Sequence, residues 1–412
     1  MTGRCGIQAL HVYAGLARVP ALEVFAGRGL DPERFGNLMM RDRSVCLPFE
    51  DTVTNAVNAA RPLVDRIGQA ARDRVELLVV CTESGLDYSK SVSSYVHEHL
   101  GLGRHCRLLE AKQACYSTTA ALQLALGYVA SGVSPGALAL VVAADIPLAD
   151  AEAGYAEPAT GTGAVALLVG DRPEVLAVDP GAFGTYSFET FDTARPGPQL
   201  EVADVDRSLA AYLDCLKHSV LHYLDRVADA DFATTFDYLA MHTPFVGMAR
   251  AGHRRLMREL AGRSAEGIEL DFTARLAPSL VYPGSVGNIF SGTLYLALAS
   301  LIDHADLSSA RRVGLFSYGS GCSSEFFSGI VDAGSRAALA PARIAEHLAE
   351  RAELDFAEYA ALIEENAACL VPRQHHKVDP GRRDELLDRV GRRGPLLVLT
   401  GIADYHRQYD WI

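Results

Sequence analysis

The chain has 412 residues with 38 basic and 51 acidic side chains, a formal net charge of −13, and 49% of its residues are hydrophobic against 22% charged. That balance belongs to an enzyme-sized globular body and excludes intrinsic disorder and a fibrous repeat. The acidic excess argues against a nucleic-acid or anionic-membrane partner, because phosphate attraction needs positive charge on the contact face. No apolar run approaches the roughly 20 residues of a membrane helix, and the first twenty residues lack a secretory core, so a cytoplasmic location is expected. The eight cysteines never occur as C-x-x-C, which disfavours a zinc knuckle or a dithiol redox site, and no metal is expected.

In chain order, Asp51-Thr52 after Pro48 caps a helix running through Ile67. An apolar strand follows at 75–81 (VELLVVC). The stretch 115–130 (CYSTTAALQLALGYVA) is a helix with almost no charge and many small residues, which predicts burial on all sides between two sheets. Further strands fall at 137–143 (ALALVVA), 163–169 (GAVALLV), 238–242 (YLAMH), 313–317 (VGLFS), 325–331 (EFFSGIV) and 396–400 (LLVLT). Several are apolar throughout, as in an α/β protein whose sheets are covered on both faces. Two strand–loop–helix–strand passages, VELLVVC to ALALVVA and YLAMH to VGLFS, form a weak internal duplication. Residues 341–393 carry two amphipathic patterns and a charged stretch, and read as an appended helical surface element.

Cys115 sits at the tip of its helix, where free N–H groups and the positive dipole end stabilise a thiolate; it reads as a nucleophile or as a small buried hydrophobe. Glu83 follows a strand end, where an open α/β sheet presents its ligand site. His242 also ends a strand, and Thr243-Pro244-Phe245 stops the ladder and aims the imidazole into a loop, although a lone histidine can equally be structural. Asn288 follows a Gly-rich turn and is a binding group or a cap, and the run 317–321 (SYGSG) is an oxyanion hole or a tight turn. No three-glycine dinucleotide fingerprint, Walker loop or G-x-S-x-G elbow occurs.

Taken together and in order, ESGLD around Glu83, KQACYSTTAAL around Cys115, HTPF at His242, GNIFSGTLY at Asn288 and SYGSG at 317–321 resemble the motifs of 3-hydroxy-3-methylglutaryl-CoA synthases. The likeness runs from GIQALHVYAG near the N-terminus to SEFFSG. It implies a thiolase fold of class α/β, five αβαβα layers built from two similar halves, 1–171 with Glu83 and Cys115 and 172–412 with His242 and Asn288, and a homodimer. It also implies that Cys115 takes an acetyl group from a thioester, that Glu83 removes a proton from the acetyl methyl, and that His242 binds and polarises a β-keto acceptor. Asn288, Gly319, Ser320, Asp145 and Asp192 would bind substrate, and water would release the product.

Two departures shape the substrate expectation. Gly247 stands where CoA-using members resemble H-x-P-F-x-K, with the lysine near the CoA tunnel, and Ala149 stands where they have a tyrosine. HTPF-x-GM, a downstream GHR and the final YHRQYDWI look more like the polyketide β-branching homologues. Those take acetyl from a donor acyl carrier protein and add it to a β-ketoacyl chain on an acceptor carrier protein, so phosphopantetheine carries the substrates and no other cofactor is implied. A carrier protein presents an acidic helix, and Arg34, Arg41, Arg43, Arg250, Arg254 and Arg255 are candidates to meet it. The alternatives are a CoA-dependent synthase of primary metabolism, a ketoacyl synthase or thiolase, and a non-catalytic carrier-binding scaffold. The intact Glu83, Cys115 and His242 set argues against the scaffold, and decarboxylative condensation does not call for a carboxylate at Glu83.

Overall fold

Alternating apolar side chains and three parallel strand pairs in the main sheet determine the architecture. A computed structural model describes residues 4–147, 151–197, 200–378 and 395–412. Its main sheet contains β1 (Gly6–Tyr13), β2 (Val75–Cys81), β3 (Arg107–Ala111), β4 (Leu138–Asp145), β5 (Gly163–Gly170), β6 (Leu176–Ser187), β7 (Tyr238–Met241), β8 (Arg311–Gly319) and β9 (Ser323–Val331). The spatial order is β7-β8-β9-β6-β1-β5-β4-β2-β3. At the β6/β1 seam the pairing is Gly6 with Ala177 and Ile7 with Leu176, so two units meet there over a short register. In one unit β2 and β4 are parallel, then β5 and β1 follow antiparallel. In the other β7 and β8 are parallel, then β9 and β6 follow antiparallel. The duplication visible in the sequence is therefore a repeated topology.

Five helices build the layers: α1 (Thr52–Arg72), α2 (Ser117–Ala130), α3 (Val205–Arg226), α4 (Val246–Glu259) and α5 (Thr293–His304). Asp51 caps α1 by accepting from the Thr54 N–H in a reciprocal capping box, as expected, and Gly68, with φ of 73°, breaks its regular path just past Ile67. Side chains alternate across each strand. Leu78, Val80, Leu140 and Val142 pack with Val53, Ala56 and Ala60 of α1. Val79, Cys81 and Val141 pack inward with α2 and α5, and Val313 and Leu315 close that middle layer from its other side. Phe316, Tyr318 and Phe326 point outward to Tyr212 and Leu216 of α3 and Ala249 and Leu256 of α4. The result is the expected sequence helix, sheet, helix, sheet, helix.

Two expectations are corrected. The 115–130 helix starts at Ser117 and is not enclosed: Leu124 is 65% exposed, and Leu108 and Leu109 on edge strand β3 beside it are 41% and 45% exposed. The enclosed helix is α5, buried from Thr293 to Ile302 because both halves of the sheet close over it. The segment after 341 is not a surface appendage either. Ile344 and Leu348 join the middle core, Tyr359 and Leu362 join the outer one, and buried Arg351 donates to Ser44 Oγ and to the Ser285 carbonyl. Its amphipathic stripes face the protein. Positions 379–393 of that segment, and Ala149, lie outside the described residues.

The strands Leu397–Ala403 and His406–Trp411 form an antiparallel hairpin that docks on the start of α1. Leu399 N–H donates to Phe49, and Asn58 bonds the Leu397 backbone in both directions. Buried Arg407 donates to Asp51 Oδ2 at 3.0 Å and the Tyr409 hydroxyl to the same oxygen at 2.8 Å. One carboxylate thus caps a helix and anchors the hairpin. Removing one member of a buried ion pair strands the other charge, so Arg407→Ala should lower unfolding stability by about 3–5 kcal/mol. Urea unfolding followed by circular dichroism measures this, and a loss below about 1 kcal/mol would show that the anchor lies elsewhere.

Candidate active site

Open α/β sheets present their sites at the carboxyl ends of parallel strands. Here Glu83 follows β2, Asp145 ends β4, His242 follows β7 and Gly319 ends β8, so both units contribute from equivalent edges. Cys115 lies two residues before α2, and Asn288 lies five residues before α5, ahead of a short turn over Phe290–Gly292.

Cys115 is partly buried, and its thiol donates to Glu83 Oε1 at 3.0 Å. The residue before it, Ala114, has φ of 45°, a left-handed conformation that costs a residue with a Cβ about 1–2 kcal/mol. The turn from the other half packs directly on this kink. A Cβ on Gly319 would lie 2.5 Å from the Gln113 carbonyl oxygen and 2.6 Å from the Tyr116 nitrogen, so glycine is required for the approach. Tyr318, one residue earlier, lies 6.4 Å from the His242 ring, centroid to centroid. Contact therefore runs continuously from the Cys115 loop through the Gly319 turn to His242.

The electrostatics differ from the expectation of a thiolate. The N–H groups of Tyr116 and Ser117 are engaged by the Gln113 and Ala114 carbonyls. Burial, and then the negative Glu83 beside it, hold the Cys115 thiol well above the ordinary value. The helix tip does not outweigh desolvation. Burial, then the Asp145 charge, raise Glu83 to about 7. His242 is buried, its pKa lowered to about 3 by loss of water, so its imidazole is neutral; its Nδ1 has no partner among the described residues. Tyr212 holds its backbone by donating to the His242 carbonyl at 2.8 Å.

Asp145 and Asp192 fit positions beneath the site better than contact with substrate. Asp145 is fully buried: its Oδ1 accepts from Thr82 Oγ, the Glu83 N–H and Ser84 Oγ, and its Oδ2 accepts from the Ser291 N–H and hydroxyl. Asp192 accepts from the Tyr318 hydroxyl at 2.6 Å and from the Gly321 N–H at 2.9 Å, which also removes that N–H from any oxyanion hole. Asn288 Oδ1 accepts from the Phe290 N–H and Thr293 Oγ, leaving its NH2 as the group for a ligand. Ser320 is half-buried in the turn after β8.

Of the six arginines, Arg43 is excluded as a docking residue: it is 2% exposed, donates to the Glu157 carbonyl and the Tyr359 hydroxyl, and stacks on the Tyr359 ring. Arg255 bridges Asp214 and Glu259 across the α3–α4 seam. Arg34 lies 3.8 Å from Asp31, and Arg41 is 70% exposed while bonding Asp42 and Ser285. Arg250 pairs with Glu269, and Arg254 is exposed one turn further along α4. Sequence reasoning missed Ser84, Ser291 and Arg195. Arg195 donates to Ser84 Oγ at 3.1 Å from a ribbon formed by Thr193–Gly197 and Leu200–Ala203. Ser291 lay inside a recognised motif, whereas nothing in the local spacing marks Arg195.

Comparison with known proteins agrees with this arrangement. The chain matches the models for hydroxymethylglutaryl-coenzyme A synthase N terminal over residues 3–174 and C terminal over residues 258–388. It is 46% identical to the polyketide biosynthesis 3-hydroxy-3-methylglutaryl-ACP synthase PksG of Bacillus subtilis, over 99% of both chains. It is 35% identical to the hydroxymethylglutaryl-CoA synthase of Enterococcus faecalis, over 87% of this chain and 91% of that one. The curacin biosynthetic pathway HMG synthase, solved in complex with apo donor-ACP, superposes with a TM-score of 0.95 at 45% identity, covering 99% of this chain and 100% of that one. A cysteine–glutamate pair at the junction of two repeated β-sheet units, together with these matches, places the chain in the hydroxymethylglutaryl-CoA synthase family of carbon–carbon bond-forming acyltransferases with the thiolase fold.

Proposed function

We propose that this enzyme performs polyketide β-branching, joining an acetyl group delivered by a donor acyl carrier protein to the β-keto carbon of a chain held on an acceptor carrier protein. The observation that carries the chemistry is the 3.0 Å contact between Cys115 and Glu83. A neutral thiol beside a carboxylate can attack a thioester as its proton passes to that carboxylate. The proton then goes to the departing phosphopantetheine sulfur, and Glu83 is again ionised. Glu83 next takes a proton from the acetyl-Cys115 methyl: a C–H bond breaks, an O–H bond forms, and the electron pair moves onto the thioester as an enolate. The enolate carbon attacks the acceptor ketone, while the neutral His242 imidazole and the Asn288 amide donate hydrogen bonds to substrate oxygen. The proton taken by Glu83 balances the one gained by the new alkoxide. Water then cleaves the Cys115 thioester and frees a carboxylate product and the thiol.

The preference for a carrier protein over CoA rests on the likeness to PksG and the curacin synthase and on Gly247. A Cβ there would lie 1.8 Å from the Asn37 carbonyl oxygen, so the lysine of CoA-using relatives cannot be accommodated. The chain segment through Asn37 lies against the first turn of α4 instead. Arg250 touches Met39 of that segment, and Arg254 and Arg258 continue the same stripe at intervals of four residues. Arg41 is exposed beside it, and together they form a basic strip in an acidic protein, suited to an acidic carrier helix. The two halves, divided near residue 171, enclose one site between them. The exposed Leu108 and Leu109 of edge strand β3 and Leu124 of α2 support pairing with a second copy into a homodimer.

Intact-protein mass spectrometry should show one acetyl group on the wild type after incubation with acetyl-carrier protein, less with acetyl-CoA, and none on Cys115→Ala. Glu83→Ala should take up the acetyl group more slowly, because the thiol loses its proton acceptor, and condensation from the acetyl-enzyme should fall by about 10²–10⁴-fold; condensation at a near-normal rate would remove Glu83 as the base. Because the base must be ionised and its carboxyl titrates at about 7, the condensation rate should rise as pH passes through 7 and then level off. Arg250→Glu with Arg254→Glu should raise KM for acetyl-carrier protein at least tenfold by like-charge repulsion, with self-acetylation by a small thioester unchanged. An unchanged KM would place the docking face elsewhere.

A further inference from the structure

Among the side chains that the roles above do not use, Arg195 stands out. Its Nη1 donates to Ser84 Oγ at 3.1 Å and to the Ile146 carbonyl at 3.4 Å, and its Nη2 donates to Glu201 Oε2 at 3.2 Å. Its guanidinium carbon lies 5.3 Å from the centre of the Phe290 ring, and the side chain is 12% exposed. These four neighbours belong to different pieces of the site. Ser84 follows the base, Ile146 follows Asp145, Phe290 lies two residues beyond Asn288 and is itself held at φ of 49°, and Glu201 lies on the adjoining strand of the ribbon.

We propose that Arg195 is a positioning residue for the carbon–carbon bond-forming step, clamping the Ser84 hydroxyl so that the Glu83 carboxylate is held ionised against the acetylated Cys115. This deepens the function proposed above and rests on it. Guanidinium forks suit such clamping because their donors are planar and their charge is permanent. The charged and titratable groups facing Glu83 are Asp145 at the end of β4, Cys115 before α2, and Arg195 and Glu201 on the ribbon. Three are acidic, counting the thiol, and Arg195 is the cation that opposes them. It favours the ionised form of both Glu83 and Asp145. Without it, Glu83 would hold its proton to higher pH and would be a base over a narrower range.

The test uses the full-length enzyme with acetyl-carrier protein in D2O and no acceptor, where proton removal by Glu83 appears as deuterium entering the enzyme-bound acetyl methyl. Wild type, Arg195→Met and Arg195→Lys are compared for acetyl occupancy and for exchange rate across pH 5.5 to 9, a range of about 1.5 to 2 units on each side of the expected midpoint. The expected result is full acetyl occupancy in all three, with the acidic limb of exchange moved up by about one pH unit in Arg195→Met and exchange at pH 7 reduced about fivefold. Arg195→Lys, which keeps the charge but loses the fork, should restore the limb while remaining slower than wild type. An unmoved limb in Arg195→Met overturns the inference. If Arg195→Met takes up no acetyl, Arg195→Lys decides, since a limb and a rate equal to wild type overturn it as well. A wild type that takes no acetyl from carrier protein overturns the functional reading itself, a separate outcome.

Discussion

Asp145 is the point on which the site depends. It is a buried carboxylate with one oxygen facing the loop of the base and the other facing the loop that precedes the second central helix. Five donors from Thr82, Glu83, Ser84 and Ser291 satisfy it, so its charge is dispersed over fixed N–H and O–H groups. The geometry of the two halves is thereby fixed at the atom level, within a hydrogen-bond length of the base. The same charge makes Glu83 harder to ionise, so the residue that positions the base also adjusts its proton affinity.

Burial, more than any single charge, leaves the three candidate reactive side chains in uncharged or weakly basic forms. A thiol held neutral, an imidazole held neutral and a carboxyl near 7 carry little net charge into a water-poor site. In the proposed mechanism each step then moves a proton between neighbours instead of drawing one from solvent. A permanent thiolate would be a poor fit here, because its charge would oppose the carboxylate that, in the proposed mechanism, later accepts the methyl proton.

Most of the fold was legible in the sequence because buried parallel strands are apolar along their whole length and the two repeated passages share one order. The strands at 75–81 and 163–169 were recovered to within a residue, and the cap at Asp51 was recognised from local chemistry. Edge strand β3 was missed, since RLLEA alternates with no clear face and one of its sides stays open. The 115–130 helix and α5 look alike in composition, and which of the two is enclosed depends on the outer layers, not on either helix. Glu83, Cys115, His242 and Asn288 are legible as candidates because each follows or precedes a strand or helix at a characteristic break, and the fold brings Glu83 and Cys115 into contact. The supporting shell was not: Arg43 and Arg255 cannot be told from surface arginines by spacing, and Arg195 meets Ser84 from 111 residues away. A protonation state set by burial is likewise invisible before the layers are assembled.

The C-terminal hairpin bears on how the chain acquires its structure. Arg407 meets Asp51 across 356 residues, and Asn58 meets Leu397 across 339. A ribosome releases α1 long before it releases the segment that seals it. During synthesis the nascent first half must wait with an uncompensated anion and an uncovered apolar flank, a condition that favours chaperone capture and slow completion of folding.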